Sequence, residues 1–250
     1  MAPEILLRED GETIAYLRRA GKHPEILWLG GFKSDMGGTK ARALDEWAAA
    51  RGQAYVRFDY FGHGASSGAF AEGTISRWRD DALAVLDRIC EGPQVLVGSS
   101  MGAWIALLAA RARPEKVRGL LLIAPAADFT EELMWARMSP EIREQVMDKG
   151  AWLRPSAYDD GPYPITRALI EDGRKHLLLG GPIPIEVPVH IVQGMQDPDV
   201  PWQHAMRLME RLSGNPALTL IKQGDHRLSS RADLCRIQHA LDGLLRKMGG

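Results

Sequence analysis

The stretch Gly98-Ser99-Ser100-Met101-Gly102 constrains the fold more than any other part of the chain. The apolar run Val95-Leu96-Val97 leads directly into it, and a helical segment from about Met101 to Arg113 leads out. A strand that turns into a helix at a single serine makes a sharp, strained corner. The residues two before and two after that serine must be small, because strand and helix cross there in near contact. Gly98 and Gly102 meet this requirement. The serine oxygen is then lifted above the carboxyl end of a sheet. Ser99 fills the variable position and is not expected to present its hydroxyl.

Strand and helix signals alternate along the rest of the chain. Ile5–Leu7 and Thr13–Leu17 predict an opening hairpin around Asp10-Gly11, and Ile26–Leu29 a buried strand ending at Gly30-Gly31. Ala41–Arg51 has helical spacing with Thr39 as N-cap, and Ala54–Phe58 is the next strand. Ile75–Cys90 is a helix that puts Trp78, Ala82, Val85 and Ile89 on one face. Further strands are expected at Leu120–Ile123, Val189–Val192 and Leu218–Ile221, with helices at Met206–Leu212 and Ala232–Met248. This order predicts an α/β fold: a mainly parallel sheet with helices on both faces, in a single domain over residues 1–250. Residues of about 127–187 break the alternation and are expected to form a cap insertion. They carry Trp135, Met138, Met147, Trp152, Tyr158 and Tyr163 among charges and prolines.

A serine hydroxyl is a weak nucleophile near neutral pH and needs a base. Of the seven histidines, His226 in Gly224-Asp225-His226-Arg227 falls after the last apolar strand and before the last helix. Such a loop reaches the top of the sheet. The base in turn needs a carboxylate to fix its tautomer, and Asp197 follows the strand His190–Gln193. The order Ser, Asp, His is the one a serine at such a corner uses. Asp199 and Asp128 are rival acids, whereas Asp225 is expected to cap its own loop. His63, between Gly62 and Gly64, is expected to be structural or to line the pocket. His23, His176, His190, His204 and His239 are expected on the surface or in the core. Oxyanion donors are expected from the N–H of Met101, at a helix N-terminus, and of Phe32, in the loop after Ile26–Leu29.

The 250 residues, 45% of them hydrophobic, suffice for one sizeable core. A net charge of -1 gives no reason to expect nucleic acid or an anionic membrane as partner. No apolar run approaches the roughly 18 residues of a membrane span. Met1-Ala2-Pro3-Glu4 is not a basic segment followed by an apolar one, so no signal peptide is expected and the expected location is cytoplasmic. Cys90 and Cys235 are read as small apolar side chains rather than a disulfide. Neither G-x-G-x-x-G nor G-x-x-x-x-G-K-[ST] occurs, and no metal-ligand cluster with histidine stands out, so no cofactor and no metal are expected.

Several longer stretches resemble one branch of the α/β-hydrolase superfamily: the acyl-protein thioesterase and acyl-glucuronide esterase of animal mitochondria and its bacterial relatives. They are Ser34–Ala41, Arg57–Gly64, Trp78–Asp81, Val97–Trp104, Gly194–Asp197 with Val200–Trp202, and Asp225–Arg227. Ser34–Ala41 is the most specific of these. The resemblance implies an α/β-hydrolase fold with a mostly parallel eight-stranded sheet. It places nucleophile, acid and base on Ser100, Asp197 and His226. The implied reaction is hydrolysis of a carboxylic ester or thioester, of a small molecule or an acylated protein, through an acyl-enzyme on Ser100. The Trp, Met and Leu content of the cap would supply an apolar acyl pocket. A serine peptidase or C–C bond hydrolase on the same three residues remains open, as does a non-catalytic hydrolase-fold binding protein. Dehalogenases and epoxide hydrolases of this fold use Asp where Ser100 stands.

Overall fold

The computed structural model describes residues 2–155 and 161–248. The antiparallel pair β1 (Glu4–Leu7) and β2 (Thr13–Arg19) opens the chain, turning through Gly11 at φ +86°. Next come β3 (Lys22–Leu29), α1 (Thr39–Arg51), β4 (Gln53–Phe58), α2 (Ile75–Arg88), β5 (Gln94–Ser99), α3 (Met101–Ala112) and β6 (Val117–Ile123). An excursion holds α4 (Pro140–Lys149), β7 (Ala151–Arg154), β8 (Tyr163–Thr166) and α5 (Arg167–Gly173). The chain returns through β9 (Val189–Gly194), α6 (Trp202–Arg211), β10 (Ala217–Ile221) and α7 (Arg231–Arg246).

Eight strands form one sheet in the order β1-β2-β4-β3-β5-β6-β9-β10. Only β1 and β2 run antiparallel to their neighbours; from β4 to β10 every pairing is parallel. This is the α/β-hydrolase fold. Alternation along the strands divides the core between the two faces of the sheet. Leu27, Leu29, Val56, Phe58, Leu96, Leu120 and Leu122 pack under α2, α3 and α6. Ile26, Trp28, Tyr55, Val95, Val97, Leu121 and Ile123 pack under α1 and α7. Central strands buried on both faces read as unbroken apolar runs, which is why Val95-Leu96-Val97 lacks polar alternation.

Thr39 does not cap α1. It is the first helical residue, and Gly38 holds the capping position without a side-chain bond. The turn before it is fixed instead by Asp35, whose carbonyl accepts from Gly38 N–H (3.2 Å) and whose Oδ1 accepts from Gly37 N–H (2.7 Å).

The excursion starts at Asp128, a non-glycine residue at φ +55°. Asp128 accepts from the N–H groups of Leu178 and Leu179 at 2.8–2.9 Å, tying the end of the excursion to its start. Between them lie a π-helical turn, Thr130–Met134, a 3-10 turn, Trp135–Arg137, helix α4 capped by Ser139, the antiparallel hairpin β7–β8, and α5 capped by Thr166. Asp172 accepts from the N–H and hydroxyl of Ser76 (2.7 and 2.8 Å), fastening α5 to the first turn of α2. His204 Nε2 donates to the Ala127 carbonyl (2.7 Å), joining α6 to the same root. Tyr158 lies outside the described residues.

Candidate active site

Ser100 lies between β5 and α3 with φ 54° and ψ −117°. A non-glycine residue held there is strained and needs neighbours that over-determine it. Its N–H donates to Ile123 O (2.9 Å), and its carbonyl accepts from Ala103 N–H (3.0 Å) and Ala126 N–H (3.2 Å). The flanking glycines are required sterically. A Cβ at Gly98 would meet the Gly102 carbonyl oxygen at 2.4 Å, and one at Gly102 would meet Leu29 O at 2.1 Å.

The structure brings the three sequence-predicted residues into one hydrogen-bonded line. Ser100 Oγ–H donates to His226 Nε2 (3.1 Å), and His226 Nδ1–H donates to Asp197 Oδ2 (2.8 Å). Asp197 is buried and its carboxylate is fully engaged. Oδ1 accepts from the N–H groups of Asp199 (2.9 Å) and Val200 (2.8 Å), and Oδ2 accepts a second bond from Gln193 Nε2 (3.1 Å). Gln193 was not anticipated from the sequence. Its signal was there: a polar residue at the end of an apolar strand, buried completely.

The rival acids are accounted for elsewhere. Asp128 spends both oxygens on Leu178 and Leu179, and Asp225 caps its own loop through Leu228 N–H (2.9 Å). Asp199 lines the cleft and supplies its backbone, not its carboxylate, to Asp197. Asp197, Asp199 and His226 do bring ligand-type atoms within 4.8 Å of one another. With both Asp197 oxygens and His226 Nδ1 committed to hydrogen bonds, that cluster is arranged for proton handling rather than for a metal.

Phe32 and Met101 line the same cleft as Ser100. Gly31 brings the Phe32 loop against the serine corner, since a Cβ there would lie 3.5 Å from Ser100 Cβ. Met101 N–H heads α3, where the helix dipole favours negative charge. Neither the Phe32 nor the Met101 N–H donates to any group among the described residues. A backbone N–H left without a protein partner where it lines a cleft is available to a bound group. Two of them beside one serine suit an oxygen that becomes negative during a reaction.

The cleft encloses about 380 Å³. Its apolar wall is Phe32, Phe129, Leu133, Met134 and Tyr163; Lys33, Lys40, Arg137, Arg154 and Arg227 lie around the rest. The expectation that the Trp, Met and Leu content of the excursion supplies the apolar wall is met at Leu133 and Met134, with Phe129 and Tyr163 beside them, and not at Trp135 or Trp152. Trp135 lies under Arg143 and Arg174, Met138 is buried in the core, and Trp152 packs against the core. These side chains secure the excursion to the sheet helices, and residues of the π-helical turn face the cleft in their place.

Lys40, in the first turn of α1, lines the same cleft. Its Nζ donates to the carbonyl of Arg227, next to His226. Burial pulls the ammonium down to about 8, against the pull of the Asp225 and Asp197 carboxylates. Lys40 therefore gives up its proton at a lower pH than ordinary lysines, which remain charged at pH 8. Limited treatment with an acetylating ester at pH 8 is expected to modify Lys40 ahead of the other lysines, read by peptide mass spectrometry. Uniform labelling would contradict the lowered pKa.

A model of the alpha/beta hydrolase family matches residues 28–236. The chain belongs to the α/β hydrolase family. Within it, the chain is similar to the mitochondrial palmitoyl-protein thioesterase ABHD10 of Mus musculus, at 42% identity over 246 residues covering 98% of this chain and 82% of the relative. The solved structure of mouse alpha/beta hydrolase domain-containing protein 10 superposes with a TM-score of 0.92 at 40% identity, covering 99% of this chain and 100% of the other. A crystal structure from Agrobacterium vitis S4 gives a TM-score of 0.92 at 44% identity, covering 97% and 98% of the two chains. No helix among the described residues is long and apolar enough to cross a membrane.

Proposed function

We propose that this protein hydrolyses carboxylic thioesters and esters through an acyl-enzyme on Ser100. The observation that carries the reading is the line Ser100–His226–Asp197, opening on a cleft with an aromatic wall. As Ser100 Oγ attacks the acyl carbon, its proton passes to His226 Nε2, and Asp197 stabilises the imidazolium. The carbonyl oxygen takes up the electron pair beside the Phe32 and Met101 N–H groups. Collapse expels a thiol or alcohol, which takes the proton from His226. Water then attacks the acyl-serine with His226 as base, releasing the carboxylic acid and restoring Ser100.

The apolar wall of Phe129, Leu133, Met134 and Tyr163 supports an acyl chain as the group held. The similarity to the mouse palmitoyl-protein thioesterase supports a thioester as the bond cut. Matched thioesters and oxyesters of two to sixteen acyl carbons test this. A Ser100-dependent optimum at medium or long thioesters is expected. An optimum at short oxyesters with little thioester turnover would overturn the thioesterase assignment and leave a general carboxylesterase. A cytoplasmic setting belongs to the same reading and is supported by the unpaired thiols of Cys90 and Cys235, which suit a reducing compartment; cell fractionation checks it.

A further inference from the structure

We infer that His63 is a positioning residue for the oxyanion loop, holding the Phe32 N–H in its working direction through the next peptide. This rests on the reading of Ser100 as nucleophile. Lys33, directly after Phe32, has φ +59°, a conformation a non-glycine residue keeps only when its surroundings impose it. Its N–H donates to His63 Nε2 at 3.2 Å. The other ring nitrogen, Nδ1, lies 3.0 Å from the Phe61 carbonyl. A carbonyl oxygen can only accept, so Nδ1 carries the proton and Nε2 offers a bare lone pair to Lys33. Burial favours that neutral form by pushing the imidazole below its ordinary pKa, against the weaker pull of the Asp35 carboxylate.

The ring has little freedom to turn away. Tyr60, Phe70 and Trp78 meet it edge-on, with centroids 5.9, 5.2 and 5.5 Å away. Trp78 Nε1–H donates to the same Phe61 carbonyl (3.1 Å), which fixes that acceptor in turn. Phe32 rests its own ring on Phe70 and Trp78, at 4.9 and 5.7 Å. A second strut runs in parallel: Asp59 accepts from Met36 N–H (2.6 Å) and Ala65 N–H (2.8 Å), so the loop after β4 grips the oxyanion loop beyond Lys33 as well. The Gly62-His63-Gly64 turn thus acts on the reaction without touching substrate. Its glycines make the turn possible: a Cβ at Gly62 would meet the Phe70 backbone at 2.6 Å, and one at Gly64 would meet the Asp59 carboxylate at 2.1 Å.

The test compares His63→Phe, which keeps an aromatic ring and loses the acceptor, with His63→Gln, which returns an acceptor oxygen. His63→Phe is expected to lower kcat about 10–100-fold with KM nearly unchanged, short of the full loss when a donor is deleted. Binding of an alkyl trifluoromethyl ketone, which forms a tetrahedral adduct, should weaken by the same factor. His63→Gln should recover most of both. In the wild type, imidazole 15N shifts should report a protonated Nδ1 and a bare, hydrogen-bonded Nε2 on His63. A protonated Nε2, an unchanged kcat in His63→Phe, or parallel loss in both variants tracking their melting temperatures would each overturn the inference. Failure of the underlying reading looks different: Ser100→Ala would then keep wild-type turnover whatever His63 does.

Discussion

The Ser100→Ala variant is expected to turn over acyl thioesters about 10⁵–10⁶-fold more slowly than the wild type. The reasoning is structural as well as chemical. Alanine keeps the Cβ and can hold the same strained backbone as serine, which is fixed by Ile123, Ala103 and Ala126 rather than by the side chain. The hydroxyl makes its hydrogen bond to His226 alone among the described residues. Fold, cleft and the Phe32 and Met101 N–H groups therefore survive, and KM should change little where residual turnover is measurable. Labelling with a fluorophosphonate should vanish in parallel. A variant that melted like the wild type yet kept more than a trace of turnover would show that another group attacks the substrate.

The second large effect is expected at Asp197→Asn, a drop in kcat of about 10⁴-fold. The hydrogen bonds around Asp197 determine how an asparagine must sit. The Oδ1 position faces two backbone donors, Asp199 and Val200 N–H, so the amide oxygen has to occupy it. The NH₂ group then takes the Oδ2 position, facing His226 Nδ1 and the Gln193 amide. His226 must turn its Nδ1 into an acceptor and carry its proton on Nε2, where it points at Ser100 and cannot accept. The imidazole stays in place in the wrong tautomer. Asp199→Asn and Asp128→Asn should each leave kcat within a few-fold. Asp128→Asn should instead cost about 1–3 kcal/mol of stability: its amide oxygen can take the Oδ2 position and accept from both Leu178 and Leu179, but the NH₂ group then faces the buried Leu178 N–H donor-to-donor at the Oδ1 position. Steady-state kinetics and denaturant melts on the three variants separate these outcomes; equal kinetic loss at Asp197 and Asp199 would remove the special role of Asp197.

The sheet and the central line were legible because each rests on a local signal with one physical meaning. Apolar runs such as Val95-Leu96-Val97 can be buried on both faces only within a covered sheet. Ser100 declares itself through Gly98 and Gly102, and Asp197 and His226 through their place just beyond apolar strands. The excursion was legible only as an interruption. Its elements are short, β7 and β8 being four residues each, and the bonds that fasten it, Asp128 to Leu178 and Ser76 to Asp172, join residues far apart along the chain. Which of its apolar residues face the cleft depends on the π-helical turn, whose spacing is neither 3.6 nor 2, so Phe129, Leu133 and Met134 escaped notice while Trp135 and Trp152 drew it. Thr39 misled for a related reason: the Asp35 turn before α1 supplies what a capping side chain would have supplied.

Asp128 gathers the beginning and the end of a loop 50 residues long onto one carboxylate. Such a knot makes the excursion an exchangeable part. Lengthening, shortening or replacing what lies between Thr130 and His176 leaves the geometry at the rim of the sheet in place, provided its ties are kept: Asp128 with its two amides, Asp172 on Ser76, and Arg137 on the Asp199 carbonyl. Selection can then retune what the enzyme accepts without reopening how it reacts, and a chimaera grafted at that knot inherits its taste in substrates from the donor and its chemistry from the host.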